Sequence, residues 1–155
     1  MRLTTRGRYA VTAMLDIAIH QTGGPVTLAD VAGRQGISQA YLEQLFAKLR
    51  RAGLVRGVRG PGGGFRLERD PDAIDLAAIV ASVDERLEAT RCDGAGNCQD
   101  GEVCLTLAVW SELSERIREY LSSTSLGELA RREEVARVAR RQQHANRALI
   151  AARTL

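Results

Sequence analysis

The run Gly60-Pro61-Gly62-Gly63-Gly64 leaves the surrounding chain few options. Four glycines and one proline in five residues exclude a helix or the middle of a strand, so the run is a turn. Short alternating segments flank it, Leu54 to Arg59 and Phe65 to Glu68, and they pair as a β-hairpin. Upstream, Ala10, Ala13, Met14 and Ile17 keep i, i+3, i+4, i+7 spacing in a first helix. Thr4 or Thr5 opens that helix and Gly23-Gly24-Pro25 ends it. Thr27 and Asp30 form a capping box for a short helix from Leu28 to Gln35, and Gly36 supplies the turn after it. Ser38 caps a third helix to about Arg51, with Leu42, Leu45, Phe46 and Leu49 on its inner face and Gly53 as its stop. Three helices followed by a hairpin make a winged helix-turn-helix. The fold class is therefore mainly α with a small β-hairpin.

Beyond the hairpin, Asp75 caps a fourth helix expected to bury Leu76, Ile79, Val80, Val83 and Leu87. A longer helix, from about Thr106 to Ser122, carries Trp110, Leu113, Ile117 and Tyr120 as a narrow heptad-like seam. Such a seam packs either on the chain's own core or on a second copy. The two-fold symmetry of helix-turn-helix operators favours the second copy, a homodimer. Ser125 and Glu128 cap a further helix. The segment from Arg131 is Arg-, Ala- and Gln-rich with few large apolar groups, and is either helical or frayed and partly disordered.

Charge is unevenly spread. Residues 1–70 carry 11 Lys/Arg against 5 Asp/Glu, residues 71–130 carry 4 against 12, and residues 131–155 carry 7 against 2. Only part of the surface is then suited to a polyanion. Lys48 is the single lysine, and an arginine bias this strong reflects a GC-rich genome more simply than a function. At 155 residues and 45% hydrophobic the chain can bury the core of one domain with an appendage, and 4% aromatics argue against a large β-sandwich. No apolar run reaches the roughly 18 residues that span a bilayer. Tyr9 to Ile19 carries Asp16 and lacks a small-residue cleavage site, so no signal peptide is expected, no membrane partner, and a cytoplasmic location.

The outer face of the third helix presents Gln39, Ala40, Tyr41, Glu43, Gln44, Ala47, Lys48 and Arg51. Ser38 and Tyr41 sit at its N-terminus, where the helix dipole favours phosphate. Gln44 has the amide geometry that reads adenine, and Glu43 can accept from cytosine N4. Most such faces are simply solvated. Here a short helix and glycine turn precede the face and a basic hairpin follows it, which points to double-stranded operator DNA. Arg56, Arg59 and Arg66 lie on or beside the hairpin, and Arg59 is placed to enter a narrow minor groove. The rival reading, a phosphate-cradling nucleotide loop, is weak, because no Gly-Lys-Ser/Thr follows the glycines and no strand-to-helix context surrounds them.

The three cysteines, Cys92, Cys98 and Cys104, fall at C-x5-C-x5-C spacing within thirteen residues. An odd number argues against a disulfide framework. Soft thiolates favour zinc, copper(I) or an iron–sulfur cluster. Structural zinc usually shows C-x2–4-C pairs and four protein ligands, so the wider spacing favours a cluster. Zinc, or three incidental cysteines in a flexible loop, remain the alternatives.

Met1-Arg2-Leu3-Thr4, Gly7-Arg8-Tyr9-Ala10-Val11, Ser38 with Tyr41-Leu42-Glu43-Gln44-Leu45-Phe46, Val58-Arg59-Gly60-Pro61-Gly62-Gly63-Gly64, Val83-Asp84-Glu85, Ala89-Thr90-Arg91-Cys92 and Cys104-Leu105-Thr106 together resemble the IscR family of iron–sulfur cluster assembly regulators. The resemblance covers about residues 1–130. It implies a dimeric winged-helix repressor of cluster-assembly genes with a 2Fe–2S cluster, served by the cluster delivery machinery. It also implies a second operator class, bound with or without the cluster. Cys92, Cys98 and Cys104 match the family's thiolate positions.

The family's histidine falls where this chain has Leu107. The fourth ligand is thus left open among Asp93, Asp100, Glu102, Thr106, His20, His144 and a partner-chain group, while Arg8 closes the carboxylate route of a nitric-oxide-sensing branch. The resemblance puts Ser38, Tyr41, Gln44 and Arg59 on DNA, has Glu43 disfavour one operator class without the cluster, and leaves Ala40 where a relative has Ser. Arg2, Lys48, Gly62 and Gly63 complete the candidate DNA-binding set. The expected organisation is a DNA-binding domain over 1–70, a cluster loop with dimerisation helices over 71–130, and a basic tail over 131–155. Two other regulatory readings stand beside it, redox or nitric-oxide sensing for another regulon and a regulator that has lost its cluster. An enzyme or electron carrier is disfavoured, since no catalytic acid/base set, nucleophile motif or cofactor loop is visible.

Overall fold

A computed structural model of the chain describes residues 4–154. Its elements are α1 (Thr5–His20), α2 (Leu28–Gln35), α3 (Gln39–Arg51), β1 (Val55–Val58), β2 (Gly64–Leu67), α4 (Leu76–Ser82), α5 (Leu107–Ser123), α6 (Leu126–Arg131) and α7 (Glu133–Arg153). The caps work as their chemistry requires. Thr27 Oγ1 accepts from the Asp30 N–H at 3.1 Å, Asp75 Oδ1 from Ala78 at 2.8 Å, and Ser125 Oγ from Glu128 at 3.1 Å. Gly36 closes α2 at φ 64°, a left-handed conformation that favours glycine.

The core is one cluster. Met14 and Ile17 of α1, Val31 of α2, Leu42, Phe46 and Leu49 of α3, and Ile79 of α4 all lie within it, and Leu126 of α6 inserts fully buried beside them. Leu126 is fixed by backbone hydrogen bonds, its N–H donating to the Ile74 carbonyl at 2.9 Å while the Leu76 N–H donates to Thr124 at 3.0 Å. The hairpin pairs Val55 with Leu67 through Val58 with Gly64. Val26 and Phe65 exchange two backbone hydrogen bonds, of 2.9 and 2.7 Å, which anchors the hairpin to the loop before α2. Gly64 makes that approach possible, since a Cβ there would lie 2.5 Å from the Val26 carbonyl oxygen.

Three features differ from the sequence expectation or resolve it. The fourth helix stops at Ser82, because Asp84 adopts φ 58°, so Leu87 is half-buried outside the helix. The segment left as helical or frayed forms α7, which packs on α2. Gln35 and Gln142 exchange amide hydrogen bonds of 3.0 Å across that contact. The seam of α5 is not absorbed by the chain's own core, since Trp110, Leu113 and Tyr120 remain 43%, 39% and 57% exposed.

Candidate DNA interface and cysteine cavity

Helix α3 and the hairpin form a groove lined by Gln39, Glu43, Ala47 and Arg50 on one wall and by Val58, Gly60 and Gly63 on the other. Ser38 caps α3, its Oγ accepting the Tyr41 N–H at 3.4 Å. The Tyr41 ring stands edge-on to Tyr9 of α1, with centroids 5.9 Å apart, so part of it serves packing. Glu43 and Gln44 are exposed, as periodicity predicts for that face. Arg59 lies at the hairpin tip, exposed and outside every ion pair among the described residues. The other wing arginines are engaged. Arg66 Nη1 donates to the Gln21 carbonyl at 3.2 Å, and Arg56 stands 3.9 Å from Glu68.

Gly63 has a structural reason of its own. A Cβ there would fall 2.3 Å from the Val58 carbonyl oxygen, inside the closure of the turn. Gly62, at φ 72°, faces open space. Arg2 lies outside the described residues. Arg50 is missing from the candidate set, yet it lines the groove and continues along the hairpin face. The clue available in the sequence was its place in the last turn of α3, among Lys48 and Arg51.

Lys48 is occupied. Its Nζ donates to Asp84 Oδ2, and the lysine holds that carboxyl below the usual carboxylate range. The neighbouring Glu85 caps α1. Its carboxylate accepts the Gly7 N–H at 2.6 Å, the Thr4 hydroxyl at 2.8 Å and the Thr4 N–H. Arg6 Nη1 donates to the Val83 carbonyl at 3.3 Å. One acidic corner, 83–85, thus touches α1 and α3 together.

The same segment runs on to the cysteines. Glu88 accepts from Ser114 Oγ at 2.7 Å, from Thr90 Oγ1 at 2.9 Å and from Arg118 of α5 at 2.7 Å. Led by the Ser114 bond, these hold its carboxyl down to about 2. Cys92, Cys98 and Cys104 line one cavity together with Leu107 and Trp110 at the foot of α5. Cys98 donates to Cys92, which holds the Cys92 thiol down to about 7 and pushes Cys98 up to about 11. The Gly96 N–H also points at Cys92 Sγ, 3.3 Å away. Gly96 sits at φ 68° with the Leu107 side chain where a Cβ would reach 3.3 Å, so the loop wraps closely against Leu107.

The donor set is chemically suited to a soft metal group: three thiols on one cavity with a backbone N–H aimed at sulfur. The alternative fourth ligands fare unevenly. Thr106 lines the cavity beside Leu107. Asp93 is tied to Arg86 at 2.9 Å. His20 and His144 lie together between α1 and α7, on a different cavity, where burial and Arg34 lower the pKa of His20. Among the described residues, no group of three His, Cys, Asp or Glu is placed to hold a single metal ion.

Comparison with known proteins gives the family. A family model named Rrf2 and described as an iron-dependent transcriptional regulator matches residues 3–132. The HTH-type transcriptional regulator IscR of Vibrio cholerae is 57% identical over 142 residues, covering 92% of this chain and 82% of that protein. IscR of Xenorhabdus nematophila is 58% identical, with 92% and 87% covered. Among solved structures, T. potens IscR superposes with a TM-score of 0.69 at 37% identity, over 83% of this chain and 85% of that one. CymR, the global cysteine regulator of B. subtilis, gives 0.73 at 32% identity, over 84% and 96%.

Proposed function

The chain belongs to the Rrf2 family of iron-dependent transcriptional regulators, and from that premise we propose that it represses iron–sulfur cluster assembly genes when its cysteine cavity is loaded. It is a regulator rather than an enzyme, as its relatives are named. The observation that carries the reading is the single cavity shared by Cys92, Cys98 and Cys104, which abuts α5 on a chain whose α3 and hairpin line one groove.

In this reading residues 1–70 bind operator DNA, 71–130 hold the cluster and dimerise, and 131–155 brace α2 through α7. Ser38, Tyr41 and Lys48 take phosphate, Gln44 and Glu43 face base edges, and Arg59 enters the minor groove, with Arg2, Gly62 and Gly63 as further DNA contacts. Two copies join along the exposed Trp110, Leu113 and Tyr120 seam, whose burial removes a large apolar surface from water. The site of action is the cytoplasm, where operator DNA and the cluster delivery machinery meet. No helix among the described residues is long and apolar enough to cross a membrane.

Cys92, Cys98 and Cys104 would hold a 2Fe–2S cluster, which when bound supplies the iron-dependent signal. Leu107 provides no donor, so the fourth position falls to Thr106, a partner-chain group or a small exogenous ligand. Anaerobic purification, a visible spectrum, and iron and sulfide counts test the reading. Wild type should show about two irons and two sulfides per chain, and replacing all three cysteines by serine should abolish both together with binding to the cluster-assembly promoter. Promoter binding that is identical in the two proteins, with no bound iron, would leave a cluster-free regulator instead.

A further inference from the structure

Lys48 belongs to the outer face of α3 and is the one lysine of the chain, yet its ammonium is already paired within the chain. Asp84 holds it. The carboxylate sits in a cationic surround of Lys48, Arg6 and Arg51. Its side chain is 72% exposed, while that of Lys48 is 30% exposed. The pair therefore lies at the surface, where an ion pair is worth little and exchanges readily. We infer that Asp84 is an internal stand-in for a DNA phosphate, which competes with the duplex for Lys48 and lowers the affinity of the DNA-binding face. The inference rests on the DNA-binding reading above.

Two further observations give the contact a built character. Asp84 reaches α3 because the backbone turns sharply there, at φ 58°, a conformation uncommon outside glycine but tolerated by Asp and Asn. The turn is then pinned from the next residue, since Glu85 caps α1 through Thr4 and Gly7. The carboxylate is thus presented to Lys48 by a fixed corner rather than by a free loop. Eight residues on, the same strand of chain reaches Cys92 after being tied to α5 through Glu88 and Ser114. A change in the cysteine cavity that shifts this strand also shifts the competitor.

Asp84→Asn is the cleanest perturbation, because Asn keeps the left-handed backbone while removing the charge. Fluorescence anisotropy on a labelled duplex carrying the promoter of the cell's cluster-assembly genes, titrated at several salt concentrations, reads both affinity and salt slope. Asp84→Asn should bind about two- to fivefold tighter, as expected for releasing a surface ion pair. Its slope of log K against log salt should steepen by up to about 0.9, the full value of the one phosphate contact that Asp84 holds back in the wild type. In a Lys48→Ala background the same substitution should lose the steeper slope and most of the gain in affinity.

A gain that persists in full without Lys48 would reduce Asp84 to general charge repulsion and overturn the inference. So would wild-type binding with no change in Asp84→Asn. Failure of both wild type and variant to bind any duplex above background would instead bring down the DNA-binding reading and this inference with it.

Discussion

Gly7 and Glu85 form a pair whose coupling can be measured with its sign. Gly7 lies in the first turn of α1, where its N–H donates to Glu85 at 2.6 Å. A Cβ at position 7 would fall 2.3 Å from Glu85 Oε2, and its three nearest neighbours are all atoms of the Glu85 side chain. Gly7→Ala therefore displaces one specific carboxylate. That carboxylate completes the N-terminus of α1, whose Thr4 offers no side-chain cap. Losing a charged N-terminal cap costs about 1–2 kcal/mol. Against this, Ala in place of Gly inside a helix stabilises by about 0.5–1 kcal/mol.

In the wild-type background Gly7→Ala should thus destabilise by about 0–1.5 kcal/mol. In a Glu85→Ala background the obstruction is gone and only the helix propensity remains, so the same substitution should stabilise by about 0.5–1 kcal/mol. The coupling energy is then about 1–2 kcal/mol, with a change of sign between backgrounds. Urea unfolding of the four proteins at one protein concentration, followed by Trp110 fluorescence, measures it. A shift of the same sign and size in both backgrounds would show that Glu85 does not cap α1.

The buried pair between Asp16 and Arg34, with side chains 0% and 6% exposed and a 2.6 Å contact, gives a larger effect. Arg34→Met leaves the buried Asp16 carboxylate without its cation and with only the Gln35 amide, 2.7 Å away, as donor, and should cost about 3–5 kcal/mol in the same assay; a loss below 1 kcal/mol would be inconsistent with that burial. The Glu88 carboxyl, depressed to about 2 from an ordinary 4.5, contributes stability that is complete above pH 4.5 and lost as pH falls toward 2. Glu88→Gln should therefore flatten the acid limb of the stability profile, and an unchanged limb would refute the assignment. Arg59→Ala should weaken promoter binding by about 1–3 kcal/mol and alter base preference where the wing inserts; an unchanged affinity and footprint would remove Arg59 from the groove. Leu107→His adds a nitrogen donor at the cysteine cavity and should slow the decay of visible absorbance in air, whereas equal or faster decay would show that Leu107 does not mark an open position.

Local chemistry determined much of this protein in advance. The caps at Thr27, Ser38, Asp75 and Ser125, the 3.6-residue spacing of Leu42, Leu45, Phe46 and Leu49, and the glycine run before Phe65 each act within a few residues. Their outcome needs no knowledge of distant chain, so the winged helix and the three-cysteine loop were legible from the letters alone. The same holds for the exposed face of α3 and for the seam of α5, which periodicity located but could not say was left uncovered.

The tertiary structure decided what depends on chain closure. Asp84 and Glu85 gave no local sign that one would hold Lys48, 36 residues away, and the other would cap α1 from 78 residues beyond Gly7. Glu88 meets Ser114 and Arg118 only because α4 and α5 are packed together, and α7 becomes a defined helix where Gln142 finds Gln35. A long-range polar pair leaves no periodic trace, because each partner is compatible with solvent until the core brings it within hydrogen-bond reach. Burial of Met14, Phe46, Ile79 and Leu126 in one cluster supplies the free energy for that closure, and the polar corner between the cysteines and α3 is set by it.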